Sequence, residues 1–594
     1  MKYKFLLAAF ALTLSALCAD AADQDTSVVP DAFQPQSERV SADARVRRYL
    51  TPERVVWTSN TGVYRTEEIF APSLLQTSTA DMRGGFRMEK KTDAPCAVLL
   101  DFGAEFHGGI RLESRDLTPS EGSVGKSVRV RVRFGESADE AMAEIGEKGT
   151  VNEHSMRDMI VNIPWLGAVE FGESAFRFVR LDLVDPGTSV CFDSIRGVFT
   201  LRDIPQPGSF RCSDERLNKI WQTAAYTQLL TMQRYIFEGA KRDRLVWYGD
   251  FNPQAMTTLN VFGAPDVLKE TLGAYAETTW PLPNYMNGFP NYSLWWLISV
   301  SDLYHYTGDL EYLRLRAPYL FGLFRAIKKQ VRETGQAGFP AEFLDWPTAD
   351  NPEAQHSGTH AIFTIAVERV VEIARALDDD AVLAEATEVL EKLRTYIPDN
   401  VGVKQSAALM ALAGLENPAK PNIDVVAKNG GENFSTFYGY YMLEALAQGG
   451  RRAEALDIIR EYWGAMLDAG ATTFWEDFNL EWLKNAGRID ELTPAGKDSL
   501  HGDRGAYCYE GFRHSLCHGW SSGPAPWLIR YVLGVTPAAP GFAEVGFDPF
   551  LGDLDWAEGT VPTPRGVIRV RIEKNADGTL KKEISLPEGC VVRQ

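Results

Sequence analysis

The hydrophobic rhythm of the chain changes twice. Between about residue 50 and residue 205, apolar and polar side chains alternate with period two. Val128, Val130, Val132 and Phe134 are interleaved with Arg129, Arg131 and Arg133, and Phe176 to Leu183 repeats the pattern. Residues two apart share one face of a strand, so these segments predict half-buried strands. Ala97 to Phe102 is a further strand-like run, and the Gly, Asp and Ser turns between such runs predict a sandwich. From Cys212 the period lengthens. Leu217, Ile220, Trp221 and Ala224 recur at helical spacing behind Ser213, which predicts a helix start there. Helical patterns then dominate to about residue 535, among them Leu294 to Tyr306, Leu313 to Val331, Ala361 to Leu377, Ala381 to Thr395 and Ala453 to Asp468. About a dozen helices joined by Gly- and aromatic-rich loops predict a helical toroid rather than a four-helix bundle. Alternation returns in Gly566 to Ile572, with Ala576-Asp577-Gly578 as a hairpin turn. The predicted fold class is multidomain α and β: an N-terminal β-sandwich over 43–205, a helical barrel over 206–535 and a C-terminal β-sandwich over 536–594.

Composition narrows the function classes. A formal net charge of −19 argues against nucleic acid as a partner, because phosphate binding needs a basic surface. The 14 Trp, 21 Tyr and 31 Phe allow aromatic platforms for the apolar faces of sugars, although most such rings build core. Lys2 and Lys4, the apolar run Phe5 to Leu17 and the small residues Ala19-Asp20-Ala21 read as a signal peptide over 1–21, so export to the periplasm or medium is expected. No later stretch reaches transmembrane length. Six cysteines remain beyond the signal, too few and scattered for a disulfide scaffold; Cys508 and Cys517 are near enough in sequence to pair, and free buried thiols are at least as good a reading.

Four constellations could carry chemistry. The first is Glu238 to Asp250, with Arg242, Asp243, Arg244 and Trp247 between glycines, on a loop between a helix ending near Tyr235 and one beginning near Phe251. Carboxylates beside Arg and Trp suit the binding of a sugar and protonation of its leaving oxygen. The second is Thr472 to Phe478, where Glu476 and Asp477 sit between Trp475 and Phe478; a carboxylate against an aromatic wall suits a base that activates water. The third is Ser515 to Pro524, with His518 before Gly519 and Trp520. The fourth is Asp345-Trp346-Pro347. His356 and His360 have metal-binding spacing if helical, but Gly358 between them argues against that turn.

At these residues the chain resembles the α-L-rhamnosidases of glycoside hydrolase family 78. The resemblance rests on Arg244-Leu245-Val246-Trp247-Tyr248-Gly249-Asp250, on Thr472-Thr473-Phe474-Trp475-Glu476, and on the Asp-Trp-Pro and His-Gly-Trp elements. It implies a central (α/α)6 barrel between two β-sandwiches and inverting release of terminal α-L-rhamnose from glycans or rhamnosides. Asp243 would stand as general acid and Glu476 as general base. Glu238, Arg242, Trp247, Asp250, Asp345, Trp475 and His518 would bind the sugar, with no metal and no cofactor. The chain departs from the family in carrying Asp243 where many members have Glu, and Glu238 where an Asp is usual. Three rival readings remain open: a related toroid glycosidase acting on another sugar, a glycan-binding homologue without turnover, and a polysaccharide lyase.

Overall fold

The computed structural model describes residues 34, 38–39, 41–73, 75, 84–123, 125–153, 156–278, 285–417 and 421–593. The signal segment lies outside them. Among the described residues, nine strands join into one antiparallel sheet before residue 203, in the order Val63–Tyr64, Phe86–Lys90, Thr188–Arg202, Ala97–Thr118, Ala168–Leu183, Ser127–Gly135, Asp158–Pro164. The first two strands, Arg45–Leu50 and Arg54–Thr58, pair off that path with Thr188–Arg202 and Ala97–Thr118. The Ala97–Thr118 strand runs 22 residues, much longer than its apolar stretch, because register shifts after Asp101 and Gly108 let it bend and continue. Val128, Val130, Val132 and Phe134 are buried as their alternation predicts. Arg133 breaks the pattern. It lies on the polar face but is 2 % exposed, held by Glu144 at 3.0 Å and Asp182 at 3.1 Å beside the short helix Ala138–Met142.

The next helix is Glu215–Thr231, and its N-cap is Asp214, not Ser213: the Asp214 carboxylate accepts from the N–H groups of Arg216 and Leu217. Among the described residues, six segments then pack side by side into a closed ring: Tyr248–Val261, Pro290–Thr307, Pro352–Ala376, Lys404–Leu412, Thr436–Gln448 and the stretch from Gly519–Ser522 through Pro524–Trp527, which returns to the first. Leu310–Ile327 and Asp380–Leu393 pack outside it. Trp295, Trp296, Trp463 and Trp527 are buried in one hydrophobic core, Trp296 against Tyr319 of the outer helix Leu310–Ile327. The helix Pro352–Ala376 runs straight through Gly358, contrary to the expectation of a break there. A Cβ at Gly358 would lie 2.7 Å from the Leu344 methyls, so the residue is a packing glycine. His356 and His360 are nevertheless no metal pair: His356 is on Glu342 at 2.9 Å, and His360 is bonded to Ala337 and Tyr396.

The tail returns to β structure. Gly566–Lys574 and Leu580–Ser585 form the hairpin around Ala576-Asp577-Gly578, and Trp556–Thr563 extends it. The fourth strand of that sheet is Ser209–Cys212, from just before the first toroid helix, so the C-terminal sheet closes over the start of the barrel. Among the described residues no cysteines are bonded to one another, and no helix is long and apolar enough to cross a membrane.

Candidate active site

Residues at or just before the N-terminal ends of four ring segments, Tyr248–Val261, Pro290–Thr307, Thr436–Gln448 and Gly519–Ser522, line one cavity. The segment 232–247 leads into Tyr248–Val261, which begins three residues earlier than its pattern predicts. Asp250 therefore stands in a first helical turn, where unpaired N–H groups favour negative charge. The three distant motifs meet as neighbouring backbone segments. Gly239 and His518 form an antiparallel bridge, the Ala240 N–H donates to Cys517 O at 3.0 Å, and Gly519 N–H donates to Glu238 O at 2.8 Å. His518 N–H donates to Phe474 O, and Glu476 N–H donates to Ser515 O, each at 2.9 Å. A Cβ at Gly239 would lie 3.0 Å from His518 Nδ1, which explains the glycine at this close approach.

These contacts enclose a cavity of about 180 Å3 lined by Glu238, Arg242, Asp243, Trp247, Asp250, Asp345, Glu476 and His518. Tyr292, Trp346, Phe437, Tyr509 and Trp520 supply aromatic walls, and Arg513 closes one side. The remaining residue expected here, Trp475, does not line the cavity. It is 1 % exposed and packs edge-on against Phe478 at 5.4 Å, because consecutive residues of an extended segment point opposite ways and Glu476 takes the inward one. A second, larger cavity of about 630 Å3 borders the first, lined by Asp477, Trp482 and Tyr507. The Trp346 and Tyr507 rings stack between them, with centroids 6.1 Å apart.

One guanidinium organises the carboxylates. Arg242 donates from Nη1 to Asp243 at 3.0 Å and from Nη2 to Glu476 at 2.7 Å, while its Nε donates to Arg513 O at 2.8 Å. Although burial opposes it, the Glu476 and Asp243 charges hold Arg242 firmly protonated. The second Glu476 oxygen accepts from the Ser515 N–H at 3.0 Å. Burial, followed by the Asp250 and Asp243 charges, pushes the Glu238 carboxyl well above the usual range; its Oε2 accepts from Leu245 N–H at 2.9 Å and its Oε1 has no partner. His518 Nε2 meets Asp250 at 3.0 Å. Burial raises the Asp250 carboxyl and lowers the His518 imidazole, each against the pull of the other. Asp345 is raised by burial against donors from Thr348, Gln405 and Ser435, so its carboxylate also caps the turn that presents Trp346. Asp243 and Arg244 adopt φ of 55° and 52°, two consecutive non-glycine residues in the left-handed region. Such conformations cost about 1–3 kcal/mol each and persist where the surroundings impose them.

Sequence reasoning missed Tyr292, Tyr509 and Arg513, which none of the four constellations includes. Outside the cavity, Glu136, Glu140 and His501 have ligand atoms close enough to share a cation. The Lys241 ammonium already meets the two carboxylates, at 2.9 and 3.2 Å.

Comparison with known proteins follows the same architecture. A family profile for the bacterial alpha-L-rhamnosidase six-hairpin glycosidase domain matches residues 205–406, and one for the bacterial alpha-L-rhamnosidase C-terminal domain matches residues 534–593. A curated alpha-L-rhamnosidase of Alteromonas sp. (strain LOR) is 23 % identical over 505 residues, covering 76 % of this chain. The chain spans about half the length of that relative, 52 %. The fold is similar to that of a rhamnosidase of Bacillus sp. GL1, at TM-score 0.68 and 22 % identity over 88 % of this chain and 56 % of that one. It is also similar to that of a rhamnosidase of Klebsiella oxytoca solved with rhamnose bound, at TM-score 0.62 and 19 % identity over 82 % of this chain and 96 % of the other. The two profiles place bacterial alpha-L-rhamnosidase domains at residues 205–406, in the helical ring that carries Arg242 and Asp243, and at residues 534–593, in the terminal sheet region.

Proposed function

We propose that the protein is an inverting α-L-rhamnosidase that removes terminal rhamnose from glycans or rhamnosides. The observation that carries this reading is the Arg242 fork, which holds Asp243 and Glu476 across one cavity. A guanidinium between two carboxylates suits the separation of about 6.5–9.5 Å at which an inverting hydrolase seats its water. Asp243 gives its proton to the glycosidic oxygen as the bond to C1 breaks. Glu476 takes a proton from water as that oxygen attacks C1 from the opposite face, and Asp243 is left ionised with Glu476 protonated. Proton exchange with solvent resets both. Arg242 fixes both carboxylates, Asp250 and His518 offer partners to sugar hydroxyls, and Trp247 and Trp520 offer faces to the ring.

The test is release of nitrophenol from p-nitrophenyl α-L-rhamnoside, with the anomer of the first-formed rhamnose read by proton NMR. Inverted product from the parent protein, and none from Glu476→Gln, supports the reading. Retained configuration would refute the inverting mechanism. Turnover that survives Glu476→Gln would remove this cavity from consideration. We further propose that residues 1–21 are removed on export, on the strength of their charged start and apolar run. A mature N-terminus still at Met1 in the native host would refute it.

A further inference from the structure

Lys241, the residue before Arg242, lies in a second cluster beneath the site. Its buried ammonium donates to Glu140 at 3.2 Å, Phe512 O at 2.9 Å and His514 O at 2.7 Å, and forms an ion pair with Glu136 at 2.9 Å. Neither glutamate belongs to the barrel. Glu136 follows the Ser127–Gly135 strand of the N-terminal sheet, and Glu140 lies in the short helix after it. Both are almost wholly buried, and although burial opposes it their charges hold Lys241 protonated.

Glu136 reaches onward to the catalytic side. Its carboxylate accepts from Ser515 Oγ at 3.1 Å and from Leu516 N–H at 2.7 Å. The Ser515 N–H in turn holds Glu476 Oε2 at 3.0 Å, and Arg513 O holds Arg242 Nε at 2.8 Å. The segment 512–516 is therefore fixed on one side by Lys241 and Glu136, and on the other it fixes a carboxylate and a guanidinium of the cavity. His501 strengthens the fixed side: its Nε2 donates to His514 O at 2.9 Å, and its Nδ1 accepts from Ser137 Oγ at 2.8 Å. Burial keeps that imidazole neutral.

We propose that Glu136 and Lys241 are positioning residues for the hydrolysis, so that the N-terminal sheet is a working part of the active site and not a detachable module. This rests on Glu476 being the base. A displacement near 1 Å at a reacting group costs rate without weakening ground-state binding, so the effect belongs in kcat.

The experiment compares full-length Glu136→Gln, Lys241→Met and the double variant, each assayed well below its own melting temperature on p-nitrophenyl α-L-rhamnoside. Each single change is expected to lower kcat about 100-fold while KM stays within about threefold. The double variant carries one uncompensated buried carboxylate fewer than Lys241→Met, so melting temperature should rise from that of the Lys241→Met single while kcat does not. A kcat within about threefold of the parent in both singles overturns the proposal. Recovery of kcat together with melting temperature in the double variant also overturns it, since that pattern marks a purely structural pair. If the parent protein itself does not turn over the glycoside, the functional reading fails, and crystal structures of the parent and Glu136→Gln decide the positioning claim separately. Loss of the Ser515 to Glu476 contact in the variant upholds it, and an unchanged contact refutes it.

Discussion

Lys241 and Arg242 are consecutive, both buried, and each stands between two carboxylates, yet their surroundings differ. Lys241 faces Glu136 and Glu140 with two backbone carbonyls completing its shell, and it lines no part of the cavity. Arg242 faces Asp243 and Glu476, and all three line the cavity. An ammonium is a compact point charge that a closed shell can satisfy; a guanidinium is a planar fork that holds two groups at a set separation. The chain thus spends one cation on anchoring a segment and the next on arranging carboxylates. Access to the cavity together with the geometry of the cation separates support from chemistry.

The comparison breaks most sharply at the cavity carboxylates. Glu476→Gln is expected to lower kcat about 1,000-fold or more, within the range of a general base. Asp243→Asn should lose less on a nitrophenyl substrate, whose leaving group needs little protonation, and more on an alkyl rhamnoside. Equal losses on both substrates would remove Asp243 as the acid. On the support side the sign of the effect changes. Glu140→Gln strips Lys241 of one of its two carboxylates while Glu136 remains, and should cost about 1.5–3 kcal/mol of unfolding free energy in urea titration. A cost no larger than that of Asp243→Asn would erase the distinction between the clusters.

Arg242→Lys keeps the charge but not the fork. A fall of about 100-fold in kcat/KM is expected, because one ammonium cannot hold both carboxylates in place; full activity would show that charge alone suffices. The smallest effect concerns Asp477, on the border with the larger cavity. Burial, helped by Asp345 and Glu476 and opposed by the Phe478 N–H, pushes its carboxyl from 3.8 up to about 7. Between those values the folded protein binds a proton that the unfolded chain has lost, so stability falls as pH rises through that window. Asp477→Asn should therefore raise stability by about 1–2 kcal/mol at pH 8, with the gain vanishing near pH 4. A gain that does not change with pH would refute this account.

Much of this was legible along the chain. The Val128 to Phe134 alternation specifies which strand face is buried, since a one-residue slip would turn every valine to solvent. The acidic and aromatic motifs marked eight residues that share the cavity. What escaped was relational. Ser209–Cys212 sits at the threshold of a helical region but pairs with Trp556–Thr563, a contact no local signal announces. Trp475 looked like a sugar platform beside Glu476 and faces the core instead, because side-chain direction follows the backbone path. Gly358 looked like a helix breaker, and the Leu344 side chain explains it.

By itself the sequence determined the order of sheet, helical ring and sheet, because periodicity of burial is a local property repeated along each segment. It also determined which acids, cations and rings were available for chemistry. Only the tertiary structure decided which carboxylate Arg242 shares with Asp243 across 234 positions of chain, and that Lys241 is matched by glutamates from the N-terminal sheet. Charge pairing depends on distance and on exclusion of water, and both are set when remote segments pack.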